Sequence, residues 1–342
     1  METTGSKFYH FTASGLFYGI ATLQEAIDAL GEEGYVWFNF YKPEREDLNR
    51  LVDAVGIHPL AIEDCFDEKQ IPKIEYFTGN TFIIFNAFSY IDKMLILDEI
   101  NLFIGKNFLI SVSGNNSGTR MPLIDVAGIV ENEPSNAKDG PSSMMHILLD
   151  YVVDQKYTAF DEMEDELETA EESLITDVES FNPAQLIRMR KDLLTLRKSL
   201  FHEREILVKI CRNDCPFISE KVMAHYRDIY DHLARFFELS ETYREVETSL
   251  MELYTSLLNN LMTKMSNETN FSVRRLTLIA TIFMPLTLIA SILGMSEWSM
   301  MTGPDNWKFT YPLFLLGMAG IAVMNYLLIK RLERKHNYTM KD

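Results

Sequence analysis

The sequence has few cysteines, and no secretion signal is apparent at its N-terminus. Three cysteines in 342 residues are too few for a disulfide framework. Cys211 and Cys215 lie four positions apart but lack the second Cys or His pair of a zinc site, so we interpret all three as reduced thiols. Because no basic stretch followed by an apolar core begins the chain, the first domain is expected to stay in the cytoplasm.

Basic residues are also scarce. The chain has 32 Lys and Arg against 50 Asp and Glu, a formal net charge of -18. Nucleic acid is therefore excluded as a partner, because binding phosphates requires clustered basic side chains. An acidic surface attracts cations, although acidity also serves solubility alone. The chain has no Walker-type phosphate loop, which argues against ATP-driven transport, and nothing in it indicates an enzyme.

Two long runs without charge lie near the C-terminus, at 276–293 and 311–329. The first is about 27 Å long as a helix, close to the thickness of the hydrocarbon core of a bilayer. Two such runs in tandem, each bounded by charged residues, predict two transmembrane helices. Two helices alone cannot enclose an aqueous path, so a transport function would require several copies of the chain.

The charges that flank these runs predict their orientation. Arg274 and Arg275 precede the first run, and four basic residues within 330–335 follow the second. The intervening loop has Lys308 as its only basic residue. The positive-inside rule then places both termini in the cytoplasm and the loop outside the cell, in a multi-pass protein of the inner membrane.

The N-terminal part combines strand and helix patterns. Apolar, β-rich runs at 35–40, 81–88 and 109–112 predict strands. The segments 22–30 and 44–55 predict helices, and 113–142 is rich in loop-forming residues. These patterns are typical of an α/β domain built around a sheet.

Long helices are predicted from residue 143 onward. The segment 161–179 has ten acidic and no basic residues, 186–209 is basic, and Asn182-Pro183 separates them. An antiparallel hairpin would bring the opposite charges together. The hairpin is either a pair of salt-bridged, solvated helices, or its acidic helix raises the local concentration of cations or senses them. Without Gly or Pro between Pro216 and Pro285, the next segment predicts one helix on the order of 100 Å long.

The sequence therefore divides into seven predicted segments, from an α/β domain to a basic tail. They are an α/β cytosolic domain (1–142), a cytosolic helical hairpin region (143–215), a long stalk helix (216–275), a first transmembrane helix (276–295), an extracytoplasmic loop (296–310), a second transmembrane helix (311–329) and a basic cytosolic tail (330–342).

Three stretches carry a resemblance to a known family. They are HPLAIEDCFDEKQIPKIEYF (58–77), YRDIYDH (226–232), and the region from Asn270 to Tyr311-Pro312, with ATIFMPLTLIA ahead of a Gly-Met pair. The chain resembles the CorA family of magnesium and cobalt transport proteins over most of its length. The resemblance implies a funnel-shaped homopentamer in a lipid bilayer, in which the first spans line the pore and the second spans form an outer ring.

The resemblance also implies which residues act on the ion. The pore-facing positions are Asn270, Leu276, Ala280, Met284, Thr287 and Ser291. The outer mouth is formed by Gly294, Met295, Ser296 and Glu297. Regulatory Mg²⁺ would bind Glu63, Asp64 and Asp228 between neighbouring subunits when cytosolic magnesium is high. Glu63 and Asp64 could instead be a helix-cap pair, and for Thr287 and Ser291 back-bonding to the helix or helix packing is the alternative.

One departure from the family bears on selectivity. The family's Gly-Met-Asn triplet is here Gly294-Met295-Ser296, and serine has a shorter side chain and a weaker acceptor. Glu297 could compensate with a ring of carboxylates, or it could simply face water. The implied function is a divalent-cation channel or transporter, driven by the electrochemical gradient, with Mg²⁺ as the first ion and Co²⁺, Ni²⁺ or Zn²⁺ as variants. The alternative is a membrane-anchored cation sensor that conducts poorly.

Overall fold

The structure is a computed structural model, and the chain divides into two compact units, Met1–Tyr254 and Thr255–Asp342. The residues it describes are 5–12, 17–67, 70–114, 137–293 and 306–339, with isolated positions at Leu123, Val126, Gly128, Val130 and Gly303. Most of the predicted loop region 113–142, and the predicted extracytoplasmic loop except its last residues and Gly303, lie outside the described residues.

The first unit is built around a sheet of seven strands. They are β1 (Lys7–Thr12), β2 (Phe17–Ile20), β3 (Gly34–Tyr41), β4 (Lys73–Phe77), β5 (Asn80–Ile91), β6 (Met94–Gly105) and β7 (Phe108–Ser113). Their order across the sheet is β2-β1-β3-β7-β6-β5-β4. Only the central pair β3–β7 is parallel, and the other pairs within the described sheet are antiparallel. The three predicted strands are confirmed as β3, β5 and β7, whereas β1, β2, β4 and β6 were not predicted.

Three short helices contribute to the core on one face of the sheet. They are α1 (Leu23–Asp28, continued by a 3-10 turn at Ala29–Gly31), α2 (Arg45–Val55) and α3 (Pro59–Asp64). Alternate residues of β3 and β7 point to this face, as do Phe82 and Phe103 of the β5–β6 pair. The predicted helices at 22–30 and 44–55 are thereby confirmed, with the last turn of the first one wound as 3-10 helix.

Two longer helices form an antiparallel hairpin against the sheet. They are α4 (Pro141–Thr176) and α5 (Ala184–Cys211). Two ion pairs, Lys156–Glu203 and Arg188–Glu166, show that the helices run in opposite directions, because the later residue of α4 pairs with the earlier residue of α5. Each pair joins atoms 2.6 Å apart. The predicted hairpin of an acidic and a basic helix is therefore confirmed.

A buried polar network holds α4 and α5 to β5. The side chains of Lys156 and Glu203 are fully buried, and Lys156 Nζ also donates to the Asn86 backbone carbonyl at 2.7 Å. The Asn86 amide donates to Ser199 Oγ, which donates in turn to Glu203. Lys156 Nζ lies 3.9 Å from the centre of the Phe88 ring, a cation–π contact. The network compensates two charges that burial would otherwise make very costly.

Asp98 is a buried carboxylate on β6. Its Oδ1 has no hydrogen-bond partner among the described residues. Burial raises the pKa of Asp98 from 3.8 to about 6, and the positive charge of Lys42 opposes the rise. The folded state therefore favours the protonated form. Holding the charged form costs free energy at pH values above about 6.

Replacing this carboxylate by its neutral isostere should remove that cost. We expect Asp98→Asn to raise the free energy of unfolding by about 1–3 kcal/mol near pH ~8, where the wild-type group is charged. Near pH ~4 the wild-type group is already neutral in the folded state, so the variant should differ little. Denaturant unfolding of both proteins at the two pH values measures the difference. An equal difference in unfolding free energy at both pH values would contradict the raised pKa of Asp98.

Two further helices complete the chain. The helix α6 (Met223–Leu293) has 71 residues and continues without a break through Pro285. It starts after a 3-10 turn at Glu220–Val222, seven residues later than the predicted 216. The helix α7 (Trp307–Thr339) begins before the predicted second span and continues into the predicted basic tail. Both are long and apolar enough to cross a membrane, and the most apolar stretch of each is not buried within the chain.

Candidate ion pathway and regulatory metal site

All six predicted pore positions are exposed on α6. The most exposed apolar ones are Leu276, at 67%, and Met284, at 72%. The others are Asn270, Ala280, Thr287 and Ser291. From Leu276 onward the spacings are four, four, three and four, so these side chains share one face of the helix. Large apolar side chains left this exposed in a single chain indicate a surface that lipid or other copies of the chain cover.

A different face of α6 is partly buried. Its half-buried residues are Leu278, Ile282, Pro285, Leu286 and Ile289. Most of them lie two positions beyond a predicted pore residue, which is about 200° around a helix. The half-buried residues of α7 also form one stripe: Thr310, Phe314, Met318, Ile321, Ala322, Asn325 and Ile329. We infer that the two helices pack through these stripes, which leaves the predicted pore face on the opposite side of α6.

Two local features bear on this part of α6. The Thr287 hydroxyl donates to the backbone carbonyl of Phe283 at 2.8 Å, so the alternative of back-bonding is confirmed for its proton. The hydroxyl oxygen retains a lone pair that can accept a hydrogen bond from ion-bound water. Pro285 has no N–H to donate, so the Thr281 carbonyl lacks its usual helix partner. The predicted outer mouth, Gly294 to Glu297, lies outside the described residues.

The predicted regulatory carboxylates Glu63 and Asp64 lie in the last turn of α3. The helix-cap alternative is wrong, because carboxylates cap the first turn of a helix, where N–H groups are free. His58 takes that place here and accepts from the Leu60 N–H at 3.2 Å. Asp64 Oδ2 instead accepts a hydrogen bond from Lys73 Nζ at 2.7 Å and forms an ion pair with it, whereas Glu63 is exposed.

The third predicted carboxylate lies on α6 among residues that the sequence did not single out. Asp228 is 67% exposed, and its Oδ2 is 3.5 Å from His232 Nε2. The Tyr157 hydroxyl and His232 Nδ1 are 2.6 Å apart, which joins α4 to α6 at this level. Asp150 on α4 is close enough to interact electrostatically with Asp228, His232 and His225 of α6. The sequence does contain a pattern that could have indicated this group: His and Asp side chains recur at positions 146, 150 and 154 of α4 and at 225, 228 and 232 of α6. Recognising that the two sets belong together requires knowing that the two helices pack against each other.

The electrostatics of this group favour a cation. Burial, and then the Asp228 carboxylate, raises the pKa of Asp150. Burial and the neighbouring His225 lower the pKa of His146 to about 4. Two acids that repel each other beside the neutral imidazole of His146 would both gain from a bound divalent ion. Within one copy of the described chain, however, no three acidic, His or Cys side chains are arranged to hold a metal.

Two exposed apolar helices that follow an α/β unit are typical of an integral membrane protein. The chain belongs to the family of CorA-like Mg²⁺ transporter proteins, whose family model matches residues 32–331. The resemblance seen in the sequence is thus confirmed. The family is one of transporters embedded in the membrane, not of enzymes.

Curated relatives and solved structures agree with this assignment. The cobalt/magnesium transport protein CorA of Thermotoga maritima is 30% identical over 299 residues, which cover 86% of this chain and 82% of the relative. The protein of the same name from Methanocaldococcus jannaschii is 25% identical and is covered to 84%. The complete CorA structure from that organism superposes with a TM-score of 0.68 at 22% identity, covering 97% of this chain and 99% of that one. The full-length CmaX structure gives a TM-score of 0.65 at 20% identity, with 96% and 97% covered.

Proposed function

We propose that the protein is a homopentameric channel for divalent cations, with Mg²⁺ as its first ion and Co²⁺, Ni²⁺ or Zn²⁺ as further candidates. The observation that carries the proposal is the exposed face of α6, opposite its half-buried stripe. Two relatives named as cobalt/magnesium transport proteins support the choice of ions. Both termini would lie in the cytoplasm, and the membrane would be the inner one.

Five copies of this face around an axis would line a path with both polar and apolar rings of side chains. Asn270 and Thr287 would offer oxygens to the water shell of the ion. Leu276 and Met284 would form apolar rings, which can close a pore by excluding water. The electrochemical gradient would drive the flux, since a divalent ion gains about 4.6 kcal/mol on crossing roughly 100 mV inward.

Regulation would use the acidic group on α4 and α6. Asp228 and Asp150 would bind cytosolic Mg²⁺ together with Glu63 from a neighbouring copy, because hard cations prefer carboxylate oxygens and Mg²⁺ keeps several waters. Asp64 would contribute less unless it leaves Lys73, which already compensates its charge. When Mg²⁺ dissociates, the carboxylates would repel one another and the copies could separate.

The serine of the Gly-Met-Ser triplet supports a second candidate function. A ring of Ser296 would hold a hydrated ion less tightly than a ring of asparagine, so the protein could be a membrane-anchored sensor that conducts poorly. The retained pore positions oppose this function. Glu297 would favour conduction if its carboxylates surround the mouth.

Uptake of Mg²⁺ into liposomes that contain the purified protein tests both functions. We expect uptake by the chain as it stands, suppressed as internal Mg²⁺ rises. With Asp228→Asn, half-suppression should need about tenfold more internal Mg²⁺, as for the loss of roughly 1.4 kcal/mol of binding free energy. Uptake by Ser296→Asn alone would favour the sensor. If neither protein carries any divalent ion, the transport function is wrong.

A further inference from the structure

Helix α5 carries an exposed stripe of apolar and lysine side chains. Ile187, Leu194 and Phe201 recur every seven residues and are 61%, 47% and 51% exposed. Lys191 and Lys198 fall between them, so all five share one face of the helix. Neither lysine forms an ion pair within the described part of the chain. We call these five residues the α5 stripe.

Helix α4 carries an acidic counterpart. Asp161, Asp165, Glu168 and Glu172 recur at spacings of four, three and four, and all are exposed. None of the four is ion-paired in the ranges that the structure describes. The buried Met163 lies two positions from both aspartates, about 200° around the helix, so these residues point away from the core. We call them the α4 stripe.

The two stripes overlap in their position along the axis of the hairpin. The two ion pairs between α4 and α5 fix the position of one helix along the other. By interpolation between these pairs, Asp165 is level with residue 189 or 190, within two residues of Lys191, and Asp161 is level with residue 195 or 196, between Leu194 and Lys198. A neighbouring copy related by rotation about an axis along the hairpin keeps these levels, because such a rotation moves no residue along the axis. Opposite charges would meet, and Leu194 would be shielded from water between them.

We propose that the α4 stripe of one copy docks on the α5 stripe of the next, an inference that rests on the proposed homo-oligomer. The two stripes are different surfaces of the same chain, so the contact is head-to-tail, and in the proposed homo-oligomer it would close into a ring. It would form a belt of alternating acidic and basic helices that is separate from the pore face of α6. Burial of the apolar residues provides stability, and the charge pairs set the register.

A membrane surface is the other occupant that an apolar and basic stripe can fit. The unpaired acidic residues of α4 oppose it, because they lie on the neighbouring helix of the same hairpin and would be repelled by anionic lipid. Another copy of the chain supplies the complementary charge at matching levels. The observations therefore favour the contact between copies.

Disulfide cross-linking between two differently tagged full-length chains tests the contact. One chain carries Asp165→Cys and the other Lys191→Cys, both with Cys211→Ser because the other two native cysteines are buried. We expect a cross-link between tags after mild oxidation. The matched control pairs Asp165→Cys with Lys198→Cys, which is on the same stripe but about 10 Å away along the helix from Lys191. Since a disulfide requires Cα atoms within about 7 Å, its yield should be at least ~10-fold lower.

Light scattering on the same samples separates the possible failures. If the protein is oligomeric but the two pairs link equally or not at all, the docking contact is wrong and the proposed channel stands. If the protein is monomeric, both proposals are wrong. Quenching of a fluorophore on Leu194→Cys by spin-labelled lipid would place the stripe on the membrane and also overturn the contact.

Discussion

Replacing Lys156 by methionine is expected to lower the free energy of unfolding of the first unit by about 3–5 kcal/mol. The substitution removes the cation but leaves Glu203 fully buried, with its partner at 2.6 Å gone. It also removes the hydrogen bond to the Asn86 carbonyl. Glu203 would then have to take up a proton or draw in water, and either change costs free energy on folding. Thermal unfolding of the full chain in detergent should show a midpoint lower by roughly 10 °C.

The double variant Lys156→Met, Glu203→Met is the matched control. It removes both charges and keeps similar volume, so most of the lost stability should return, because buried ion pairs often contribute little over apolar replacements. A single variant as stable as wild type would show that the pair is not buried. A double variant as unstable as the single one would show that hydrogen bonds to Asn86 and Ser199, rather than charge, hold the hairpin.

A charged thiol reagent added outside should reduce Mg²⁺ flux through Ser291→Cys by at least ~10-fold. Ser291 lies on the exposed face opposite the half-buried stripe, and the substitution exchanges one small atom for another. An ammonium group attached there would repel a divalent ion at close range and narrow the path. Flux into liposomes before and after modification, in a Cys211→Ser background, gives the result.

The neighbouring residue provides the control for this experiment. Ile292 is also exposed, at 56%, but it is turned about 100° away around the helix. Ile292→Cys should face lipid, react slowly and keep its flux. Equal block at both positions, or none at Ser291→Cys, would contradict the proposed pore face.

The sequence predicted best those elements whose pattern is continuous. The strands β3, β5 and β7 are long apolar runs, and α6 follows from the absence of Gly and Pro over about seventy positions. β6 was missed because Asp98, Glu99 and Asn101 interrupt its apolar pattern, although all three are buried. Their burial depends on tertiary packing, which local periodicity does not encode.

The candidate site was predictable only in part. The spacing of Thr287 and Ser291 shows that they share a face, but not that this face is opposite the half-buried stripe of α6. Asp150 was missed because its proximity to Asp228 comes from the packing of α4 on α6, across more than seventy residues of chain. Lys73, the partner of Asp64, was missed for a similar reason, since β4 was not recognised as a strand.

Pro285 gives the long helix a one-sided hinge. Its ring lies on the half-buried stripe, so the missing backbone hydrogen bond from residue 285 to the Thr281 carbonyl is on that side of the helix, away from the proposed pore face. The ladder of backbone bonds on the proposed water side is intact at this level. The inner and outer halves of the proposed pore wall can therefore flex relative to each other by opening a gap against the second span, without exposing bare backbone groups to the passing ion.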